Sequence, residues 1–288
     1  GLLACYQKQV SCFNDDIQGT ASIAAAGIFT AVQATNSLLE DQKIMFYGAG
    51  SASTGIADLI IKAFLEKGFS EADALSKLWM VDSRGLIVKG REGLSDIKGR
   101  FAQHHHHVSF IDAIRSVQPT ILIGASGNGG SFTREVVETM SSFNEHPVIF
   151  ALSNPTSKAE CVAEDAYTWS KGKVIFASGS PFEPVTYNGK TFVPGQGNNV
   201  YIFPGIGLAA LAVEAAYLPD SVFLVAAKVV AAEVEQTDLD NGTIYPKLSL
   251  LREISFKIAV AVAHHLYELK LARLDRPENL ETHIRNMM

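Results

Sequence analysis

The chain has 288 residues, 47% hydrophobic and 19% charged, with 23 Gly and 10 Pro; this profile is globular and excludes a disordered, collagenous or coiled-coil chain. Its 24 basic and 30 acidic side chains give a formal charge of −6, which argues against nucleic acid as a partner. Cys5, Cys12 and Cys161 show no CxxC spacing and fit a reducing compartment, and the longest apolar stretch, 21–39, is broken by Gly27, Gln33 and Asn36 and is no membrane span.

No signal-peptide pattern is read in the lead-in, 1–19. A long Ala-rich helix is expected over 20–39. Short apolar runs then alternate with helical patterns. Strands are expected at 43–47, 78–81, 120–123, 148–152 and 174–177, and helices at 53–66, 110–117, 133–143 and 158–169. Three helices follow, at 205–217, 221–234 and 250–271, within a C-terminal segment 205–288. The alternating order predicts an α/β fold: a doubly wound, mostly parallel, Rossmann-like sheet with flanking helices and a C-terminal helical segment. No Pro/Ser-rich linker divides the chain, so 1–288 is read as one domain.

The first strand runs into Gly48-Ala49-Gly50-Ser51, and a helix follows. Strand, GxG and helix is the context a dinucleotide needs. The first glycine permits a tight turn, the second lets a pyrophosphate approach the backbone, and the helix N-terminus supplies free N–H donors. Ser53 stands where the third glycine is usual. A glycine-rich turn that binds nothing is the competing reading. The second strand ends at Asp82, placed to accept hydrogen bonds from a ribose. Ser83 and Arg84 follow it, with Lys98 and Arg100 in the next loop; a hydroxyl and cations there suit a 2′-phosphate. An ordinary solvated loop would carry the same residues.

Asp15 and Asp16 precede the first helix. They would serve either as its cap and dipole complement or as hard-metal ligands for Mg²⁺ or Mn²⁺. Asn154 follows the 148–152 strand, and Asn198 and Asn199 lie in a Gly-Gln-Gly-Asn-Asn loop. Asn amides at strand ends can hold a carboxylate, a hydroxyl or a nicotinamide, although turns use Asn as well. The loop 124–130, containing Ser126, is glycine-rich and admits a flat ring close to its backbone.

Together these strings resemble the malic enzyme family: FNDDIQGT at 13–20, GAGS at 48–51, FALSNPT at 150–156, FASGSPF at 176–182, PGQGNN at 194–199 and VYIFPG at 200–205. They occur in order and span about residues 3–271. The resemblance implies oxidative decarboxylation of L-malate to pyruvate and CO₂ with NADP, or NAD, and Mg²⁺ or Mn²⁺. It implies Asp16 as a metal ligand, Asp15 as the residue orienting a catalytic lysine, and Asn154 and Asn199 at substrate or nicotinamide, with Asn198 beside them. Gly48, Ala49, Gly50, Ser51, Asp82, Ser83, Arg84 and Ser126 then form the cofactor surface. VDSRGLIVK at 81–89 is most similar to the NADP-preferring animal members.

The family also has an N-terminal portion with a general-acid Tyr, a general-base Lys, a substrate Arg and a Glu-Asp metal pair. None is assigned here, because Asp15 is already the fifteenth residue; Tyr6 and Lys8 match no catalytic motif and read as helix residues. The expectation is therefore a cofactor-binding domain of a larger enzyme. By itself it would bind dinucleotide, hold metal weakly and not turn over malate. The resemblance implies a homodimer or homotetramer for the full-length enzyme, in the cytoplasm or the mitochondrial matrix. A malolactic enzyme domain and a non-catalytic NAD(P)-binding regulatory module are the alternatives. His104–His107 read as a solvated loop, one of His264 and His265 as facing a partner element, and Cys161 as a buried structural thiol.

Overall fold

The computed structural model describes residues 5–288, so the first four residues of the lead-in lie outside the described residues. Its centre is a seven-stranded sheet. The strands are β1 (Ile44–Tyr47), β2 (Leu78–Asp82), β3 (Gly85–Leu86), β4 (Ile121–Gly124), β5 (Val148–Ala151), β6 (Ile175–Ser178) and β9 (Gly195–Gln196), in the order β3-β2-β1-β4-β5-β6-β9. All neighbouring pairs are parallel except β2 with β3. The five expected strands appear within one residue of their predicted ends.

Both faces of the sheet are covered, as continuous apolar strands require. Ile44 and Phe46 of β1 point into one buried cluster, Met45 into the other. The first cluster is built by helices α1 (Thr20–Ala34), α2 (Ser51–Glu66), α6 (Phe203–Ala212), α7 (Ser221–Ala232) and α8 (Leu251–Glu268). The second is built by α3 (Phe110–Val117), α4 (Arg134–Phe143) and α5 (Ala163–Trp169). The C-terminal helices therefore complete the sheet's own core.

Several boundaries differ from expectation, each for a local reason. The first helix stops at Ala34, not 39, because the Thr35 hydroxyl donates to Ala31 O and Val32 O, both at 3.1 Å, and Asn36 turns left-handed at φ 49°. The helix expected from 158 starts at Ala163. Ala159 is extended instead, and the carbonyls of Ala159 and Glu160 accept from Gly130 N at 3.0 Å and Phe132 N at 2.8 Å. The helix expected over 205–217 begins two residues earlier, with Pro204 in its first turn, and ends before Glu214 at φ 49°. Lys8 lies in a turn rather than a helix. A small hairpin, β7 (Val185–Tyr187) with β8 (Lys190–Phe192), was not anticipated. Its turn residues, Asn188 and Gly189 at φ 48° and 77°, form the Asn-Gly pair that favours such hairpins.

Candidate functional site

From β1 the chain crosses through α2 to β2 on one side of β1, while β4 lies on the other. In open α/β sheets dinucleotides bind where the strand order reverses in this way, beyond the carboxyl ends of the strands. Gly48 leaves β1 at φ 105°, and a Cβ there would lie 2.6 Å from Ala125 O. Glycine thus lets the turn after β1 touch the loop after β4. A Cβ on Gly50 would meet nothing within 4 Å, so its outer side is open. Ala49 is half-buried and Ser51, the first residue of α2, is exposed. No side chain caps α2, whereas Ser109 caps α3 by accepting from Asp112 N. The first-turn N–H groups of α2 are therefore available to an anion. Ser53 is fully buried, small enough to stand where the third glycine is usual. An open glycine beside an uncapped helix N-terminus fits the pyrophosphate of a dinucleotide.

On the β2 side, Asp82 is enclosed, its side chain 10% exposed. Its carboxylate accepts from the Arg91 guanidinium, from Lys98 Nζ at 3.3 Å and from Arg84 N at 3.0 Å. Burial opposes its ionisation, but the Arg91 hydrogen bond, helped by Arg84 N and Lys98, outweighs burial and holds the carboxyl below its ordinary value. Ser83 and Arg84 are exposed beside it, and the Arg84 guanidinium reaches Glu92 O and Gly93 O. Arg100 points elsewhere, pairing with Asp58 and with Glu71 at 2.8 Å. Of the two loop cations expected near Asp82, only Lys98 is there. Arg91 was missed, and its sequence signal was only a charge in a loop already rich in charge.

The acidic pair does not cap the first helix. Residues Asp15–Gly19 form a wide π-type turn, and Asn14 Oδ1 caps it by accepting from Ile17 N at 3.0 Å. Asp15 Oδ2 accepts from Asn199 Nδ2 at 2.6 Å, while its Oδ1 is buried with no partner among the described residues. Burial raises the Asp15 carboxyl above its ordinary value; the Asn199 hydrogen bond lowers it and the charge of Asp16 raises it, with a net rise. Asp16 is exposed. Ile17 packs against α2 at Gly55, which sets this turn beside the glycine-turn helix. Asn198 caps its own turn, accepting from Val200 N at 3.0 Å. Asn154 is exposed beyond β5, and Ser180 Oγ donates to its Oδ1 at 2.7 Å. Ser126 donates through both N and Oγ to Glu160, each at 2.9 Å; Glu160 was not anticipated.

Asp15 with an orphan oxygen and Asp16 beside it are carboxylates of the kind Mg²⁺ or Mn²⁺ takes one or two at a time. Among the described residues no group of three His, Cys, Asp or Glu side chains converges as a metal site. The two carboxylates alone do not make a complete site for such an ion. The His104–His107 run is part of no such group, and His265 faces Ser221 of α7 at 2.8 Å. No helix of the described residues is long and apolar enough to cross a membrane.

Residues 17–267 match the family described as malic enzyme, NAD binding domain. The chain belongs to the malic enzyme family. It is 48% identical over 290 residues to the NADP-dependent malic enzyme of Sus scrofa, covering 100% of this chain and 52% of that protein. It is 50% identical over 291 residues to the chloroplastic NADP-dependent malic enzyme of Flaveria pringlei, covering 100% of this chain and 45% of that one. The malic enzyme structure from Entamoeba histolytica superposes with a TM-score of 0.78 at 26% identity, over 97% of this chain and 53% of that chain. The malic enzyme of Pyrococcus horikoshii Ot3, with a TM-score of 0.76 at 24% identity over 99% of this chain and 62% of that one, shares the fold. The chain spans about half the length of the curated relatives it matches.

Proposed function

We propose that this chain, as one dinucleotide-binding unit, is the NADP-binding part of an enzyme that oxidatively decarboxylates L-malate to pyruvate and CO₂. The hydrogen bond from Asn199 to Asp15 carries the reading, because it joins the two most specific family strings, 13–20 and 194–199, beside the glycine-turn helix. In this reading the N-terminus of α2, with Gly48, Ala49, Gly50 and Ser51, binds the pyrophosphate. Asp82 is already hydrogen-bonded to Arg91 and Lys98, which leaves a cationic surface with Ser83 and Arg84. That surface favours a 2′-phosphate and so NADP over NAD.

Asn154 and Asn199, with Asn198 and Ser126 nearby in the loops, hold malate and the nicotinamide so that the hydride on malate C2 faces the acceptor ring. Asp15 orients the groups around the substrate hydroxyl, and Asp16 offers a carboxylate to Mg²⁺ or Mn²⁺. A bound divalent ion supplies Lewis-acid polarisation of the substrate oxygen. Assembly as a homodimer or homotetramer belongs to the full-length enzyme.

The test is calorimetric titration of the chain with NADP and NAD, followed by assay of the full-length enzyme. NADP is expected to bind more tightly than NAD, and malate to drive NADPH formation with one pyruvate per NADPH. Absence of dinucleotide binding, or formation of lactate in place of pyruvate, would overturn the reading.

A further inference from the structure

Glu160 is fully buried, and no Lys, Arg or His pairs with it among the described residues. Its Oε1 accepts from Ser126 N and Ser126 Oγ, both at 2.9 Å, and from Ser153 Oγ at 2.5 Å; its Oε2 accepts from Ser153 N at 3.3 Å. A buried carboxylate is costly unless hydrogen-bonded, and an apolar side chain would fill the same space more cheaply. The arrangement joins two loops, the one after β4 and the one after β5.

The network has a fixed sense. Ser153 Oγ accepts from Gly127 N at 2.9 Å, so its proton goes to Glu160; Ser126 Oγ accepts from Asn128 N at 3.0 Å and also donates to Glu160. Three consecutive N–H groups, of Ser126, Gly127 and Asn128, are thereby consumed inside the protein. Asn128 Nδ2 extends the network to Tyr47 at the end of β1. Asn154, next to Ser153, is held from the far side by Ser180. The two neighbouring segments thus differ: the α2 terminus keeps free N–H donors for an anion, and the loop after β4 keeps none of these three.

We propose that Glu160 is a positioning residue for the nicotinamide half of the dinucleotide, acting by locking the loop after β4 to the loop that carries Asn154. The inference rests on the dinucleotide-binding reading above. The spent N–H groups direct phosphate to α2 and leave the Glu160-bound loop for the uncharged or cationic remainder of the cofactor.

The test compares NADP with 2′,5′-ADP, which carries only the adenosine half, by fluorescence or calorimetric titration. The native chain is expected to bind both. In Glu160→Gln an amide N–H₂ meets donors in place of a carboxylate oxygen. It should weaken NADP about tenfold or more while changing 2′,5′-ADP by no more than about twofold. Ser153→Ala, which removes the Ser153 Oγ bonds to Glu160 and from Gly127 N but keeps the Glu160 carboxylate, should shift NADP in the same direction by a smaller factor, and it decides the matter if Glu160→Gln fails to fold. Equal losses for both probes, or no loss for NADP, would overturn the proposal. If the native chain binds neither probe, the dinucleotide reading itself fails.

Discussion

Asn199 Nδ2 donates to Asp15 Oδ2 at 2.6 Å, across 184 positions of sequence. The other oxygen of Asp15 is buried without a partner, so this amide is the one group meeting the carboxylate's need among the described residues. Asn199→Ala is expected to cost about 1–3 kcal/mol at neutral pH, the usual result of orphaning a half-buried acceptor. Asn199→Asp sets two carboxylates at hydrogen-bond distance. They cannot both ionise without repulsion, and Asp15 is already raised by burial. A raised acid stabilises most below its unfolded value and loses that contribution as pH rises through the folded one. Both variants should therefore recover stability as pH falls towards about 4, the Asp variant more steeply, because its second carboxylate adds repulsion that the Ala variant lacks. Urea unfolding at neutral and mildly acidic pH measures this; identical pH dependence of the two variants would contradict it.

The two glycines of the turn have separable roles. A Cβ at Gly48 would collide with Ala125 O at 2.6 Å, at a φ of 105°. Gly48→Ala should lose about 1–3 kcal/mol of folding stability. Gly50 has free space around its missing Cβ. Gly50→Ala should fold with nearly native stability yet bind NADP at least about tenfold more weakly, because the methyl group occupies the pyrophosphate's approach. Thermal melts and NADP titration of the same two variants separate the roles. A Gly50→Ala chain that bound NADP normally would count against this cradle.

The sheet was legible because its strands are nearly all apolar and covered on both faces, leaving only one-residue uncertainty at their ends. Helix ends were less legible. At Ala34 the stop comes from a Thr hydroxyl turning back on its own helix, and at 159–160 from hydrogen bonds to residues about thirty positions earlier. At the site, sequence named Asp15, Asn199, Asp82 and the glycines, but not that Asn199 meets Asp15, nor Arg91 and Glu160. Arg91 and Glu160 act through contacts made only in the folded chain. Glu160 did carry a signal, a charged residue in the apolar run Ala159-Glu160-Cys161-Val162-Ala163. Lys98 and Arg100 were indistinguishable in sequence; the short helix Asp96–Arg100 turns one towards Asp82 and the other towards Asp58 and Glu71.

Lys98 is the partly exposed cation beside Asp82, its side chain 34% accessible against 9% for Arg91. Arg91 is committed to the carboxylate, whereas Lys98, held to it at 3.3 Å and more exposed, can turn to a 2′-phosphate together with the exposed Arg84. Lys98→Ala should weaken NADP by about tenfold and leave NAD within about twofold. Arg100→Ala should change neither, since its partners are Asp58 on α2 and Glu71, first residue of the short helix Glu71–Ser76. The ratio of the two dissociation constants is the measurement. An unchanged ratio in Lys98→Ala would remove Lys98 from the 2′-phosphate surface and leave that role to Ser83 and Arg84.

Cys161 is 3% exposed and burial pushes its thiol up to about 12, with the Asp165 charge adding to the rise. A thiol so placed has little thiolate at neutral pH. Cys5 is exposed and Cys12 half-buried. A thiol-disulfide exchange reagent should titrate two thiols promptly in the native chain and the third only on unfolding. Prompt reaction of all three would show that α5 opens readily around Cys161.

Asp82 gives the chain an acid-sensitive joint. Burial disfavours its charge, yet Arg91, Arg84 N and Lys98 together hold its carboxyl below the ordinary value. For an acid lowered on folding, the stabilisation is present in full above the unfolded value, about 3.8 to 3.9. It is lost as pH falls through the lowered folded value, when the carboxylate takes up its proton and leaves the nearly buried Arg91 without its counter-charge. Asp82→Asn makes that loss permanent. It should be less stable than the native chain at neutral pH, and its stability should fall less steeply as pH drops below about 4. The two curves should converge at the acid end, because the protonated acid and the amide are both uncharged beside Arg91. Denaturant midpoints measured from neutral pH down to the onset of acid unfolding test this. Parallel curves would mean that the Asp82–Arg91 pair does not govern the acid limb.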